Sequence, residues 1–180
     1  MPSSRFAAFA GTVLALGLCL SIIVSTAHAQ KKHAWRQATD AELAALLPAR
    51  APVEKEHIET EIRTASGITD SKGHFIAGVV LITAGYSADG KYSHYLVVQS
   101  PMKIGGIALA PGEYVFGFQR DGEELSVHLH EALSGKLLGI IPATKIPSSS
   151  RVESLRIWPP ADKPLIQIGR FGILYELEGD

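Results

Sequence analysis

Alternating apolar and polar residues dominate the chain from residue 54 onward. In the first such stretch Ile58, Thr60, Ile62 and Thr64 alternate with charged residues. Successive side chains of a strand point to opposite faces, so this pattern predicts a half-buried strand. The stretches with strand character cover residues 57–64, 74–83, 92–99, 113–119, 124–131, 137–141, 152–158, 166–168 and 171–177. About nine short strands with turn residues between them predict an all-β antiparallel sandwich or barrel, and the pattern leaves both open.

One of these stretches and one of the turns also predict where strands lie in the sheet and how they are joined. Residues 74–83, HFIAGVVLIT, are apolar at successive positions in their second half, which is typical of a central strand covered on both faces. Asp121-Gly122 separates two alternating stretches and predicts a tight hairpin. Residues 101–110 and 142–150 lack this alternation, so they are predicted to be irregular and loop, respectively.

One short helix is predicted before the strands. Thr39 and Glu42 have the spacing of a capping box, in which each side chain satisfies a free backbone N–H of the other. Apolar residues follow, and Pro48 ends the pattern because proline has no N–H and restricts the residue before it. Residues 30–53 are therefore predicted to be an arm, this helix and a linker.

The first 29 residues differ from the rest. A short start with one positive charge precedes a nearly unbroken apolar run, and Ala27-x-Ala29 fits a signal-peptidase site. This predicts a signal peptide over residues 1–29 and export to the periplasm or outside the cell. An uncleaved N-terminal membrane anchor is the alternative, because the run is just long enough to cross a bilayer. Residues 54–180 would form a single β-domain, with no membrane span after cleavage.

Composition excludes several classes of function. Cys19 is the single cysteine and would leave with the signal, so the mature chain would have no disulfide and no thiol nucleophile. The formal net charge is −1 at pH 7, and Lys and Arg form no cluster, which disfavours nucleic-acid binding. No complete phosphate-binding or serine-hydrolase motif is present, so the sequence leans against an enzyme.

His128 and His130 form the clearest candidate for chemistry. They are two residues apart, so on a strand they share a face and can bind one divalent metal, with His94 or His57 as a third ligand from another strand. Gly122 and these two histidines resemble the opening of the cupin metal motif, Gly-x5-His-x-His. Ser134 and Gly135 stand where that motif needs a Glu and a Gly, so the resemblance implies no cupin activity. A polar outer face, with no metal cofactor, is the favoured interpretation, and the metal site is the alternative.

Aromatic residues supply the candidate ligand site. Tyr114, Phe116 and Phe118 share one strand face and could line a cavity, although aromatic rows also build ordinary cores. Trp158 could anchor a partner or plug the end of a barrel. The favoured function is non-catalytic binding of a small ligand, a glycan or an envelope partner. A metal-binding protein using His128 and His130, and a structural or assembly factor of the cell envelope, are the alternatives.

Overall fold

The computed structural model describes residues 35–148 and 150–178. The predicted signal peptide and Cys19 lie outside the described residues. Within them, no helix is long and apolar enough to cross a membrane.

The predicted helix is present as α1 (Asp40–Leu46). Both halves of the capping box form, because the Thr39 hydroxyl accepts from the Glu42 N–H and the Glu42 carboxylate accepts from the Thr39 N–H. The helix ends before Pro48, and Leu43 is its buried residue. The prediction from the capping pattern is confirmed.

Thirteen strands, joined by turns and loops, make up most of the rest of the described chain. They are β1 (Arg36–Gln37), β2 (Arg50–Val53), β3 (Glu56–Thr69), β4 (Phe75–Leu81), β5 (His94–Val98), β6 (Met102–Ile104), β7 (Ile107–Leu109), β8 (Gly112–Asp121), β9 (Glu124–Glu131), β10 (Leu137–Lys145), β11 (Glu153–Ile157), β12 (Leu165–Gly169) and β13 (Phe171–Leu177). The main sheet has the order β1-β3-β4-β5-β8-β9-β10-β13-β12-β11, and β2, β6 and β7 pair at its sides.

This antiparallel sheet curls into a half-barrel. The last strand of the order, β11, packs back against β3 and β4 at the other end of the sheet. One contact across this seam is a hydrogen bond from the Ile157 N–H to the Ser66 hydroxyl. The all-β antiparallel prediction is confirmed, and a curled half-barrel answers the question between barrel and sandwich.

The sheet carries apolar residues on both faces. The inner face forms the larger core and includes Ile76 of β4, Leu96 of β5 and Leu129 of β9. A second core lies on the outer face, where α1 and β2 cover residues such as Val79 and Tyr95. Central strand β4 is therefore covered on both sides, as its continuous apolar run predicts.

Three segments differ from the sequence predictions. The register of β3 shifts between Glu61 and Ser66, and Ile62 is exposed although it alternates with the buried Ile58. The irregular segment contains the β6–β7 hairpin, which turns at two glycines with positive φ. The predicted loop after residue 141 begins as strand, because β10 continues through Pro142 to Lys145. One edge of β10 pairs with β9, and the other edge pairs with β13 only from Thr144 onward. Pro142 therefore has no strand partner on that other edge and needs no N–H donor there.

Residues 35–53 are also more integrated than an arm and a linker. β1 and β2 both pair with β3, and Trp35 is buried in the inner core. The β-structure therefore begins before residue 54.

Candidate functional site

A cavity of about 670 Å³ opens at one end of the half-barrel, and we call it the barrel-end cavity. Its lining comes from β4, β5 and β8–β13, so neighbouring strands of the curled sheet all contribute to one concave surface. Ligand sites of proteins commonly enclose about 300–1,000 Å³, so this volume suits a small molecule.

Most of the cavity wall is apolar. Leu125, Ile168 and Phe171 form its buried part, and all three belong to the inner core. Phe118 and Val152 complete the wall toward the opening, with relative exposures of 42% and 51%. Large apolar side chains left exposed around a concavity commonly mark a binding surface.

Three cationic side chains line the same cavity. Arg120 lies near the end of β8, Lys145 ends β10, and Arg170 lies in the β12–β13 turn. Among the described residues that line the cavity, none is acidic. The wall therefore combines an apolar interior with positive charge.

Local contacts hold each cation at this position. The Arg120 Nε donates to the Gly122 carbonyl at 2.9 Å, and its guanidinium lies 5.8 Å from the centre of the Phe171 ring. The Arg170 Nη1 donates to the Ser148 carbonyl at 3.3 Å. Lys145 pairs with Glu123, whose pKa is lowered chiefly by this hydrogen bond.

His94 is the buried titratable group of the cavity. Its ring stacks on Phe116 with 4.7 Å between centroids, and its Nε2 lies 3.3 Å from the Ser154 carbonyl. A carbonyl only accepts, so on the neutral ring Nε2 carries the proton and Nδ1 is the acceptor. The Ser93 hydroxyl lies 2.8 Å from this Nδ1 and 3.2 Å from the Phe116 carbonyl, and its single proton is shared between these two acceptors. Burial lowers the pKa of His94 to about 4, so the imidazole is neutral near pH 7.

The Ser93–His94 pair has the distance of a nucleophile and its general base. Two features set it apart from such pairs. A general base works best when its pKa is near the operating pH, and the pKa of His94 lies well below neutrality. The group that orients its other nitrogen is the Ser154 carbonyl, which cannot balance an imidazolium as a carboxylate does. The pair therefore fits a structural role better than a catalytic one.

The four aromatic residues predicted to bind a ligand divide into two groups. Tyr114, Phe116 and Phe118 share the inner face of β8, as predicted, but Tyr114 and Phe116 are buried in the core and Phe118 lines the cavity. Trp158 is not among the lining residues. Its ring lies beneath the Lys163 ammonium at 3.9 Å, and its Nε1 donates to the Gln167 carbonyl oxygen of the side chain.

The structure does not bring the three predicted metal-binding histidines together. His94 pairs with Phe116 of β8, whereas His128 pairs with Gly117. Paired residues share a face and neighbours on a strand point to opposite faces. His94 therefore lies on the inner face, and His128 and His130 lie on the outer face. No cluster of three or more potential metal ligands occurs among residues 35–148 and 150–178.

On the outer face, His130 is buried under a polar cluster. Its Nδ1 lies 3.1 Å from the Gly135 carbonyl, and its ring meets Tyr92 edge to face at 5.1 Å. Burial is the largest cause that lowers the pKa of His130. Above it, Glu54 accepts from both Lys91 and the Tyr92 hydroxyl at 2.6 Å, and these bonds lower the pKa of Glu54. These contacts attach the segment before β5 to the sheet.

Sequence reasoning missed the three cations of the cavity. The row Tyr114, Phe116, Phe118 continues at the same spacing to Arg120, which was a readable signal for a charged end of an apolar face. Lys145 fell in the segment predicted to be a loop, so it was not placed on a strand face.

No protein-family model, curated protein or solved structure matches the chain.

Proposed function

We propose that this protein binds a small apolar ligand in the barrel-end cavity and performs no chemistry on it. The observation that carries the proposal is the cavity itself, whose volume is about 670 Å³ and whose wall is mostly apolar. Sites for small molecules are typically concave and apolar with a few polar groups, and this cavity has both properties.

The exposed apolar side chains of the wall favour an occupant. Phe118 keeps 42% of its surface exposed, whereas Tyr114 and Phe116, the preceding aromatic residues on the same face of β8, are buried. Covering that fraction of a side chain of roughly 200 Å² at about 25 cal/mol per Å² contributes about 2 kcal/mol to binding. A ligand that lies against Phe118 and Val152 would remove both from water at once.

The chemistry of His94 favours binding over catalysis. A neutral imidazole held between a hydroxyl and a carbonyl presents a stacked, uncharged surface to the cavity. An uncharged surface suits an apolar ligand better than a charged surface would. Export to the periplasm or outside the cell, expected from residues 1–29, belongs to the same proposal, and N-terminal sequencing of the fractionated protein tests it.

Calorimetric titration with a neutral amphiphile, decan-1-ol, tests the binding. We expect saturable binding at one site, weakened at least fivefold by Phe118→Gln because the lost ring area is worth about 2 kcal/mol before the glutamine stem is counted. The matched control is Ile140→Gln, since Ile140 is 56% exposed and does not line the cavity.

The outcome is decided by the comparison of the two variants. Equal weakening by Phe118→Gln and Ile140→Gln, or no saturable binding to the wild type, would refute the proposal. Circular dichroism of each variant excludes misfolding as the cause of a lost signal.

A further inference from the structure

We infer that the ligand is a single-chain amphiphile with an anionic head, of the chemical class of a fatty-acid carboxylate, and that Arg120, Lys145 and Arg170 bind its head. This inference rests on the proposed function and names the class of ligand for the same cavity. The combination that points to it is an apolar wall with three cations and, among its described lining residues, no acidic group.

The sequence of side chains along β8 has the polarity of such a ligand. On the inner face, Tyr114 and Phe116 are buried, Phe118 is partly exposed, and Arg120 follows at the next inward position. Alternate residues of a strand share a face, so this row runs from the apolar core to a cation at the opening. An extended alkyl chain with a charged end has the same order of groups.

Strand β10 repeats this arrangement. Ile141 is buried in the inner core, Ala143 packs against that core, and Lys145 is the next residue on the same face. Leu125 of β9 pairs with both Arg120 and Ala143, so the two rows are neighbours in the sheet. The two cations therefore end adjacent apolar rows at the same end of the half-barrel.

The β12–β13 turn brings the third cation to this end. Phe171, the first residue of β13, pairs with Lys145, and Arg170 directly precedes it. The Ile146 N–H donates to the Arg170 carbonyl, which fixes the turn against the end of β10. Three positive charges thus surround one opening, although they are far apart in the sequence.

The guanidinium groups of Arg120 and Arg170 keep N–H donors that can bind the head of a ligand. The hydrogen bonds described above use one N–H of Arg120 and one of Arg170, and a guanidinium has several more with the geometry to bind a carboxylate. Lys145 is paired with Glu123 on the exposed hairpin turn, and such surface pairs are weak enough for an incoming anion to compete.

Three decyl ligands that differ only in head charge test the inference by calorimetry near pH 7. We expect decanoate to bind most tightly, decan-1-ol less tightly and decyltrimethylammonium least. Raising the salt from about 0.1 M to about 1 M shortens the Debye length from about 10 Å to about 3 Å, so it should weaken decanoate relative to decan-1-ol. Across octanoate, decanoate and dodecanoate, affinity should rise up to roughly fourfold per methylene.

Charge-removing variants locate the head. Arg120→Gln, Lys145→Gln and Arg170→Gln should each weaken decanoate about two- to fivefold, the range of exposed ion pairs, and leave decan-1-ol unchanged. The control removes three charges at once elsewhere, in the triple variant Lys55→Gln/Lys72→Gln/Lys136→Gln, whose positions are exposed and do not line the cavity. It should leave decanoate binding within twofold.

The outcomes separate this inference from the proposed function. If decan-1-ol binds and responds to Phe118→Gln but decanoate is no tighter and ignores the cation variants, the inference is wrong and the proposed function stands. If neither ligand binds, both are wrong.

Sedimentation with phosphatidylglycerol vesicles separates a monomeric ligand from a membrane surface. We expect the protein to stay in the supernatant. Co-sedimentation that needs the three cations but not Phe118 would overturn the inference, because the charges would then serve a lipid surface and not the head of a bound molecule.

Discussion

The neutral His94 makes a quantitative prediction about stability and pH. Its pKa in the folded protein is about 4, because burial against Phe116 and β11 disfavours the imidazolium. In the unfolded chain the pKa of histidine is about 6.5. As the pH falls below about 6.5, the unfolded state binds a proton that the folded state does not, so His94 lowers the free energy of unfolding.

The magnitude follows from the difference between these two pKa values. One pKa unit corresponds to about 1.4 kcal/mol, so the full effect below about pH 4 is about 3 kcal/mol. Between about pH 7 and about pH 5, where carboxylates titrate little, the loss should be about 2 kcal/mol. Above about pH 7 both states are neutral at this position, and the contribution of His94 to the pH dependence ends.

Urea unfolding of the wild type and His94→Gln at about pH 7 and about pH 5 measures the effect. Glutamine can still donate to the Ser154 carbonyl and accept from Ser93, but it does not titrate. We expect the change in unfolding free energy between the two pH values to be about 2 kcal/mol smaller in the variant. His128→Gln, on the outer face, is the matched control. A wild-type pH dependence that His94→Gln leaves intact would refute the burial of a neutral imidazole.

Three further predictions concern stability in urea. Gly117→Ala should lower the free energy of unfolding by at least about 1–3 kcal/mol, because the added Cβ would lie 2.1 Å from the Lys91 carbonyl oxygen. Gly112→Ala on the same strand meets only ordinary contacts and should change the free energy of unfolding by no more than about 0.5 kcal/mol. Equal losses in the two variants would contradict the close approach at Gly117. Thr39→Ala should cost about 1 kcal/mol through the lost helix cap, and an unchanged midpoint would mean that α1 contributes little to stability. Tyr92→Phe should cost about 1 kcal/mol through its lost hydrogen bond to a carboxylate, and a stabilising effect would contradict that bond.

The local pattern of the sequence predicts the fold where turns and alternation agree. The β8–β9 hairpin is an example, because the Asp121-Gly122 turn is flanked by two rows of alternating residues, and the apolar row Leu125, Val127 and Leu129 lies in the inner core. The alternation fails in β3, where a register shift exposes Ile62. Such a shift depends on pairing with β4, and one strand's own residues do not encode it.

The candidate site was less predictable because it depends on register between strands. The alternation predicts the shared face of Tyr114, Phe116 and Phe118, but the sequence alone does not show which end of this row is open. His94 and His128 were considered as partners, yet they pair with neighbouring residues of β8 and therefore lie on opposite faces. The segment after residue 141 lacks alternation and therefore predicts a loop, yet β10 continues through Pro142, because a strand with one unpaired side can contain a proline.

The seam between β11 and β3 has a consequence for local opening. The strand ladder ends at β11, and two hydrogen bonds join this strand to the other end of the sheet, one from Ile157 to Ser66 of β3 and one from His94 of β5 to Ser154. Each uses a side chain on one partner. Breaking side-chain contacts costs less than separating a continuous ladder, so β11 can detach at a lower free energy than the central strands. Amide hydrogens of β11 should therefore exchange with solvent faster than those of β4 and β5. Because Val152 and Ser154 line the cavity beside this seam, we expect its opening to expose the apolar interior while the central strands stay paired.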